Sequence, residues 1–258
     1  MKSNIKIFIS CHKKCYIPKH DLLFPIQVGA ARSKVRFPNM LHDDEGDNIS
    51  EKNQSYCELT AQYWAWKNAD ADYYGFFHYR RYMSFAEKPF AANRFQDVEL
   101  EYLTDQALEK LNLDKEQMIH KINQYDIIAT SSVNLPELHR SLHNNLDQYV
   151  RTPYQYKEDI DVLLDIIKER YPDYYNTAYR YFYKEKYGYY CNMFIMSRKL
   201  FMQYSEWMFS ILEEHEKRRD YSNYTPAGKR ISGYLGERLF GIFYQYMKKQ
   251  KGCRTCEL

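Results

Sequence analysis

Short apolar runs that alternate with a helical segment constrain the fold of this 258-residue chain most strongly. The segments "IKIFIS" (5–10) and "YYGFFHY" (73–79) have the length and composition of buried strands. Between them, "IQVGAA" (26–31) predicts a second short strand, and apolar residues at helical spacing predict a helix over about 52–68. This order of strand, strand, helix and strand predicts an α/β sheet with crossover helices.

The rest of the chain continues the alternation. Polar residues of helical character over 86–124 predict a helical insertion, and "YDIIATS" (125–131) and "YGYYCNMFIMS" (187–197) predict two more strands. We predict one domain over residues 1–258, with a single sheet flanked by helices and a helical C-terminal part. The predicted helices of that part lie at 159–174, where Pro172 ends the helix, at 199–218 and at 231–249.

Charge and hydropathy exclude several classes of protein. The net charge of +3 is too small to indicate nucleic-acid binding. No apolar run reaches the ~18–20 residues of a spanning helix, and the apolar stretch at the start is too short for a signal peptide. We therefore expect a cytoplasmic protein. Two basic segments, at 215–219 and 246–256, are either solvated surface or a peripheral contact with the inner face of the membrane.

Metal and common cofactor chemistry find little support in the motifs. The chain has no phosphate-binding loop of the P-loop type, no dinucleotide fingerprint, no esterase elbow and no zincin motif. Six scattered cysteines are expected to be reduced thiols, and Cys253-x-x-Cys256 alone is a weak zinc motif. The acidic segment "HDDEGDNIS" (42–50) could bind a divalent metal, form a solvated turn and helix cap, or accept hydrogen bonds from sugar hydroxyls.

The strongest candidate for a binding site follows the "YYGFFHY" strand. His78, Arg80 and Arg81 stand at its end, where ligands of open α/β sheets bind. Two arginines and a histidine are costly to bury without an anion, and the arginine fork matches phosphate oxygens. A diphosphate is the ligand that these residues suit best. The alternative is that both arginines form ion pairs with the aspartates of residues 43–47.

A second candidate lies on the last predicted helix. Glu237 in "GERLF" could act as a general base, or it could form a buried ion pair with Arg238 or Arg80. Lys52 and Asn53 stand at the predicted start of the 52–68 helix, where backbone N–H groups favour phosphate.

Several of these motifs together resemble one known family. They are "FISCHK", "FPIQVGAA", "HDDEGDNISEKNQSYCELTAQYWAWKN", "YYGFFHYRRY", "NMFIMSRKLFMQYSEWMFSILEE" and "GERLF". The family was long catalogued as a domain of unknown function in bacterial capsule, O-antigen and exopolysaccharide gene clusters, and its members are identified as transferases that use UDP-galactofuranose. The resemblance extends from Ile5 to about Tyr246.

The resemblance implies a variant of the GT-A glycosyltransferase fold. In ordinary GT-A enzymes an Asp-x-Asp motif holds a metal on the donor diphosphate. In this chain His78-Tyr79-Arg80-Arg81 takes that place, so a divalent metal is not expected and no other cofactor is indicated. The resemblance also implies that galactofuranose passes with inversion from UDP-galactofuranose to a lipid-linked or oligosaccharide acceptor.

The resemblance further assigns roles to residues. It implies a nucleotide-sugar half over 1–85 and an acceptor and catalytic half over 125–258. Two alternatives stay open: transfer of another UDP-hexose, such as galactopyranose or glucose, or a non-catalytic module that binds nucleotides or glycans. The implied residues are Gln27, Gly29, Asn48, Lys52, Asn53, Thr60, His78, Arg80 and Arg81 for the donor, Tyr190, Asn192 and Met193 for the acceptor, and Glu237 or, as second choice, Asp44 for the base.

Overall fold

A mixed β-sheet lies at the centre of the computed structural model, which describes residues 3–87 and 92–258. The predicted α/β class is confirmed. The strands are β1 (Ile5–Cys11), β2 (Leu23–Gln27), β3 (Leu41–His42), β4 (Tyr73–His78), β5 (Arg81–Tyr82), β6 (Val98–Glu99), β7 (Ile127–Ala129), β8 (Val133–Asn134), β9 (Tyr187–Gly188), β10 (Phe194–Ser197) and β11 (Thr255–Glu257).

The sheet runs in the order β11-β7-β10-β4-β1-β2-β3, and β5 and β6 extend it from β4. Strands β1 to β4 of this path are parallel, whereas β10 is antiparallel to both of its neighbours, β4 and β7. Ser10 of β1 lies opposite His78 of β4, so these two central strands end at the same level. Their carboxyl ends therefore form one edge, where the side chains that follow them meet.

The helices that flank the sheet bury both of its faces. Successive strand residues point to opposite faces, so Phe8 belongs to one hydrophobic cluster and Ile7 and Ile9 to the other. The helices are α1 (Asn53–Tyr56), α2 (Leu59–Asn68), α3 (Asp105–Lys110), α4 (Lys115–Ile122), α5 (Leu135–Leu138), α6 (Asn145–Tyr149), α7 (Lys157–Arg170), α8 (Pro172–Tyr183), α9 (Arg198–Arg218) and α10 (Ile231–Met247). Helices α2 and α7 to α10 contribute to the first cluster, and α4 contributes to the second.

Two predicted strands differ from the observed ones. The second strand ends at Gln27 because Gly29 adopts a left-handed conformation, with φ of 66°. The predicted strand over 187–197 was wrong in extent, since only 187–188 and 194–197 are strands. Cys191 and Asn192 form a turn between them with φ of 70° and 49°, a conformation that non-glycine residues seldom adopt.

Two predicted helices also differ. The helix over 52–68 is broken at Cys57, whose φ of 52° separates α1 from α2. Pro172 does end α7, as predicted, but it also occupies the first turn of α8, where proline is well tolerated. The 86–124 segment contains α3 and α4, as its helical pattern predicts, together with the short strand β6; residues 88–91 of it lie outside the described range.

Two features of the chain bear on membrane contact, its helices and its basic segments. None of the helices in the described residues has both the length and the apolar character that crossing a membrane requires. In the basic segment at 215–219, Lys217, Arg218 and Arg219 form ion pairs within the protein, and His215 is buried. Cations that are already paired contribute less to lipid attraction.

Candidate functional site

A cavity of about 610 Å³ opens at the carboxyl ends of the central parallel strands. Its lining comes from the ends of β1 and β4, the residue after β2, the start of α1, the residues that precede α2 and α10, and one residue of α10. This is where the open-sheet rule predicts a ligand. The lining residues are Ser10, His12, Val28, Asn53, Gln54, Cys57, Glu58, His78, Tyr79, Arg80, Arg81, Cys191, Pro226, Arg230 and Glu237.

One part of this lining is basic, and we call His12, His78, Arg80 and Arg230 the cationic zone because its two arginines are charged at neutral pH. The pKa of His12 is lowered, first by burial and then by the positive charges of Lys13, Arg80, His78 and Arg230. Arg80 and Arg230 both line the cavity, and two guanidinium charges on one lining indicate a site for an anion. Arg80 is exposed and, among the described residues, has no ion pair; its guanidinium lies over the ring of Tyr79.

A second part of the lining is acidic, and we call Glu58 and Glu237 the acidic zone. Both carboxylates are held by the turn before β10. The backbone N–H of Cys191 donates to Glu237 Oε1 at 3.0 Å, and Asn192 Nδ2 donates to Glu58 Oε1 at 2.7 Å. The strained backbone of this turn therefore aims two hydrogen-bond donors at two carboxylates. His78 Nε2 lies 2.6 Å from the carbonyl oxygen of Cys191, which joins the same turn to the cationic zone.

Glu237 has the electrostatics expected of a base. Burial raises its pKa above the ordinary value and the nearby charge of Glu58 adds to this, while the hydrogen-bonded Arg238 guanidinium and the Cys191 N–H oppose it. A carboxylate with a raised pKa accepts a proton more readily near neutral pH. The ion pair between Glu237 and Arg238 that the sequence allowed is present, and Arg238 itself is 2% exposed.

Two glycines bring the acidic zone together. Gly233 and Gly236 lie on the face of α10 that packs against the start of α2. A Cβ at Gly236 would lie 2.7 Å from Leu59 Cδ1, and one at Gly233 would lie 3.2 Å from Cys57 Sγ. Because neither position has a side chain, the two helices approach closely enough to place Glu237 beside Glu58.

Arg81 has a different environment from Arg80. Its Nε lies 3.8 Å from a carboxylate oxygen of the buried Asp97, which also accepts a hydrogen bond from the Cys191 thiol at 3.2 Å. Neither arginine pairs with the acidic segment at 42–50, contrary to the ion-pair alternative. Arg81 lines the cavity with its charge partly compensated, whereas Arg80 retains an uncompensated charge.

The acidic segment forms a turn around Asp43, as in the second of its three interpretations. Asp43 is fully buried and accepts four hydrogen bonds, from the backbone N–H groups of Gly29 and Ala30 and from the hydroxyls of Ser50 and Thr60. We call these bonds the Asp43 network. It fixes the loop after β2 against the start of α2. The predicted donor residues Gly29 and Thr60 belong to this network and do not line the cavity.

Asn53 connects the network to the cavity. Its side chain donates to Thr60 Oγ1 at 3.1 Å and to the carbonyl of Cys57 at 2.7 Å, and it lines the cavity. A Cβ at Gly29 would lie 2.6 Å from Asn53 Oδ1. The glycine at position 29 therefore serves both the left-handed turn and the close approach of Asn53.

The other predicted donor residues lie outside the cavity lining. The Gln27 amide binds the backbone of Val35 and Phe37, and the Asn48 amide closes the 44–50 turn. Lys52 forms an ion pair with Glu216 at 2.8 Å. Asp44, the second choice for the base, pairs with Arg36 at 2.6 Å on the surface. Their roles towards a donor, and that of Asp44 as a base, stay predictions.

The predicted acceptor residues do not line the cavity. Tyr190, Asn192 and Met193 are all buried, and Tyr190 donates its hydroxyl hydrogen to Asn145. Asn192 reaches the site through its bond to Glu58, although it does not line the cavity. Direct contact with an acceptor stays a prediction for all three residues.

Three important lining residues were not among the sequence candidates: His12, Glu58 and Arg230. His12 immediately follows β1, so the strand-end rule that selected His78 would also have selected it. Glu58 and Arg230 precede α2 and α10, and their proximity to the strand ends arises only from tertiary packing. No group of three or more His, Cys, Asp or Glu side chains suited to a metal ion is present within residues 3–87 and 92–258.

Comparisons with known proteins agree with this architecture. Residues 6–250 match the family model described as a domain of unknown function, DUF4422, whereas no curated protein matches. The apo structure of the bifunctional glycosyltransferase WbbM aligns with 99% of this chain, with a TM-score of 0.92 and 34% identity. This chain spans 44% of the length of that one. The family match over nearly the whole chain confirms the resemblance predicted from the motifs, and the protein belongs to the DUF4422 family.

Proposed function

We propose that this protein is an inverting glycosyltransferase that moves galactofuranose from UDP-galactofuranose to a glycan acceptor in the synthesis of a bacterial surface polysaccharide. One observation carries the proposal. A single cavity at the sheet edge combines a cationic zone with an acidic zone. A nucleotide sugar has the matching parts, since its diphosphate is anionic and its sugar presents neutral hydroxyl donors. The likeness to a chain of a bifunctional glycosyltransferase supports the same class of reaction.

The proposed mechanism is one in-line displacement. The acceptor hydroxyl oxygen attacks the anomeric carbon of the donor as its proton passes to Glu237, and the bond between that carbon and the UDP oxygen breaks with its electron pair remaining on UDP. Proton removal by a positioned carboxylate contributes about 10²–10⁴-fold to such a step. The raised pKa of Glu237 suits it to accept that proton.

The cationic zone would stabilise the leaving UDP. Negative charge develops on the diphosphate as the glycosidic bond breaks, and preorganised cations lower the energy of that transition state. Arg80 and His78 approach from the sheet, and Arg230 approaches from the N-terminal end of α10. The family resemblance implies that His78 and Arg80 take the place of the metal-binding motif of GT-A enzymes, so we expect transfer without a divalent metal.

The test is UDP release from a panel of UDP-sugars with a synthetic galactoside acceptor, in the presence and absence of chelator. Turnover with UDP-galactofuranose in chelator is the expected result. Turnover with UDP-galactopyranose or UDP-glucose alone would overturn the proposed sugar but keep the reaction class. Loss of activity in chelator that manganese restores would overturn metal independence. UDP binding without turnover of any donor, on lipid-linked as well as synthetic acceptors, would indicate a non-catalytic module.

The acceptor and the location form part of the same proposal. Surface polysaccharides grow on lipid-diphosphate carriers, so we propose a lipid-linked or oligosaccharide acceptor that is met at the cytoplasmic face of the membrane. In the basic C-terminal segment, Lys248 pairs with Glu257 and Arg254 with Asp126. Any peripheral attachment would therefore depend on the exposed Lys249 and Lys251, which a vesicle-binding assay with anionic lipid would measure.

A further inference from the structure

We propose that Glu58 binds hydroxyl groups of the donor sugar and so makes the protein distinguish a UDP-sugar from UDP. This inference rests on the proposed function. The two carboxylates of the acidic zone differ in their partners. Both oxygens of Glu237 have protein partners, the Cys191 N–H and the Arg238 guanidinium. Glu58 has no ion pair within the described residues, and its hydrogen bond there is the one from Asn192 to Oε1.

The bond from Asn192 fixes the orientation of Glu58. Asn192 is 1% exposed and stands in the strained turn, and its Nδ2 also lies 3.4 Å from the Gly233 carbonyl. A side chain held this tightly can fix one oxygen of its partner. The carboxylate of Glu58 then keeps acceptor capacity for donors that come from the cavity.

The position of Glu58 favours a sugar over a phosphate. A carboxylate repels a diphosphate, whereas it accepts strong hydrogen bonds from hydroxyl groups. Glu58 also lies near Glu237, since the adjacent residues Asn192 and Cys191 donate to these two carboxylates and both carboxylates line the cavity. A group bound by Glu58 would thus lie next to the proposed base, where the reacting end of the donor must be.

Removal of the Glu58 charge should affect the Kd of UDP and the Kd of UDP-galactofuranose differently, which makes the test specific. A negative charge near the diphosphate weakens binding of UDP, so Glu58→Gln should leave the Kd of UDP unchanged or lower it. The same substitution removes a charged acceptor for sugar hydroxyls, which is worth about tenfold or more in affinity. Only UDP-galactofuranose should therefore bind more weakly. Glutamine has the same shape and can still accept from Asn192, so the fold should be retained.

The experiment is calorimetric titration of the wild-type protein and Glu58→Gln with UDP and with UDP-galactofuranose, without acceptor. Glu51→Gln is the matched control, because Glu51 is an exposed acid outside the cavity lining. We expect Glu58→Gln to raise the Kd of UDP-galactofuranose about tenfold or more, with no rise for UDP and no change in the control.

Each other outcome overturns a defined statement. If the wild-type protein binds both ligands and Glu58→Gln changes neither Kd, or weakens both equally, the inference is wrong while the proposed function stands. If Glu58→Gln keeps the wild-type Kd values but loses turnover by about 10²-fold or more, Glu58 acts as the base and not as a sugar ligand. If the wild-type protein binds neither UDP nor UDP-galactofuranose, the proposed function fails and the inference with it.

Discussion

At the scale of single residues, the first prediction concerns Glu237. Glu237→Gln removes the proposed base but keeps a group that accepts from the Cys191 N–H. We expect kcat to fall about 10²–10⁴-fold while the Kd of UDP changes little, because the base acts on the acceptor and not on the nucleotide. Asp44→Asn, which alters the other carboxylate proposed from the sequence, should retain turnover. Wild-type turnover of Glu237→Gln, or loss of turnover in Asp44→Asn alone, would move the base away from Glu237.

The pH dependence of the reaction should report the ionisation of Glu237. A base must be ionised, so kcat/KM should fall as pH decreases through the raised pKa of Glu237. Burial is the larger cause of that shift, and the charge of Glu58 adds to it. Glu58→Gln should therefore move the acidic limb of the pH–rate profile to lower pH, and Glu51→Gln should leave it in place. A limb that does not move in Glu58→Gln would contradict the coupling between the two carboxylates.

The third prediction concerns Asp43, whose carboxylate accepts four hydrogen bonds in a fully buried site. Asp43→Asn replaces an acceptor with an NH₂ group that faces donors, so buried N–H and O–H groups lose their partners. We expect a loss of about 2–4 kcal/mol in the free energy of unfolding, measured by urea denaturation. Asp44→Asn, which breaks the surface pair with Arg36, should cost about 0–1 kcal/mol. Equal losses in the two variants would contradict the Asp43 network.

The contrast between Asp43 and His78 explains how much of the site could be predicted from the sequence. His78 and Arg80 follow an apolar run directly, so a local pattern places them at a strand end. Asp43 instead binds groups that are 7 to 17 residues away and on separate elements, an arrangement that no local pattern contains. The "HDDEGDNIS" motif therefore pointed to the right region, but several of its residues stabilise the site without lining it.

At the scale of elements, the approach of α10 to α2 decides the geometry of the acidic zone. Gly236→Ala would improve helix propensity by up to about 1 kcal/mol. The new Cβ would lie 2.7 Å from Leu59, which is fully buried and cannot move into solvent. Overpacking of this kind costs about 1–3 kcal/mol, so the net effect should be destabilising.

A shift of α10 away from Leu59 should also impair function, since Glu237 is the next residue along α10. We expect Gly236→Ala to lower kcat/KM for UDP-galactofuranose about tenfold, because small misplacements of a catalytic group are costly. Ser232→Ala is a control on the same helix. It shortens a side chain that contacts Ser55, so it adds no atom between α10 and its neighbour. Higher stability with unchanged kcat/KM in Gly236→Ala would show that α10 does not need this close approach.

Helices and strands could be predicted from the sequence where apolar residues repeat with one regular spacing. The long helix α9 (Arg198–Arg218) was predicted at 199–218, because its apolar residues repeat regularly over five turns. The 187–197 segment is mostly apolar, yet it turns at Cys191 and Asn192. Asparagine tolerates positive φ better than most residues, but no glycine stands at the turn, so composition marks it only weakly. The turn is held by tertiary contacts with Glu58, Glu237 and Asp97, which local propensity does not register.

At the scale of the whole molecule, the last strand protects one edge of the sheet. Strand β11 pairs with β7, and Glu257 accepts hydrogen bonds from Tyr189, Lys248 and the Ser132 backbone. Deletion of residues 254–258 should cost about 2–3 kcal/mol, or roughly 5–10 °C in Tm, and should expose β7 to aggregation. Glu257→Gln, which keeps the strand, should lose less. None of these residues lines the cavity, so the wild-type kcat/KM should persist at temperatures below the unfolding transition. A wild-type Tm after the deletion would show that β11 adds no stability to the sheet.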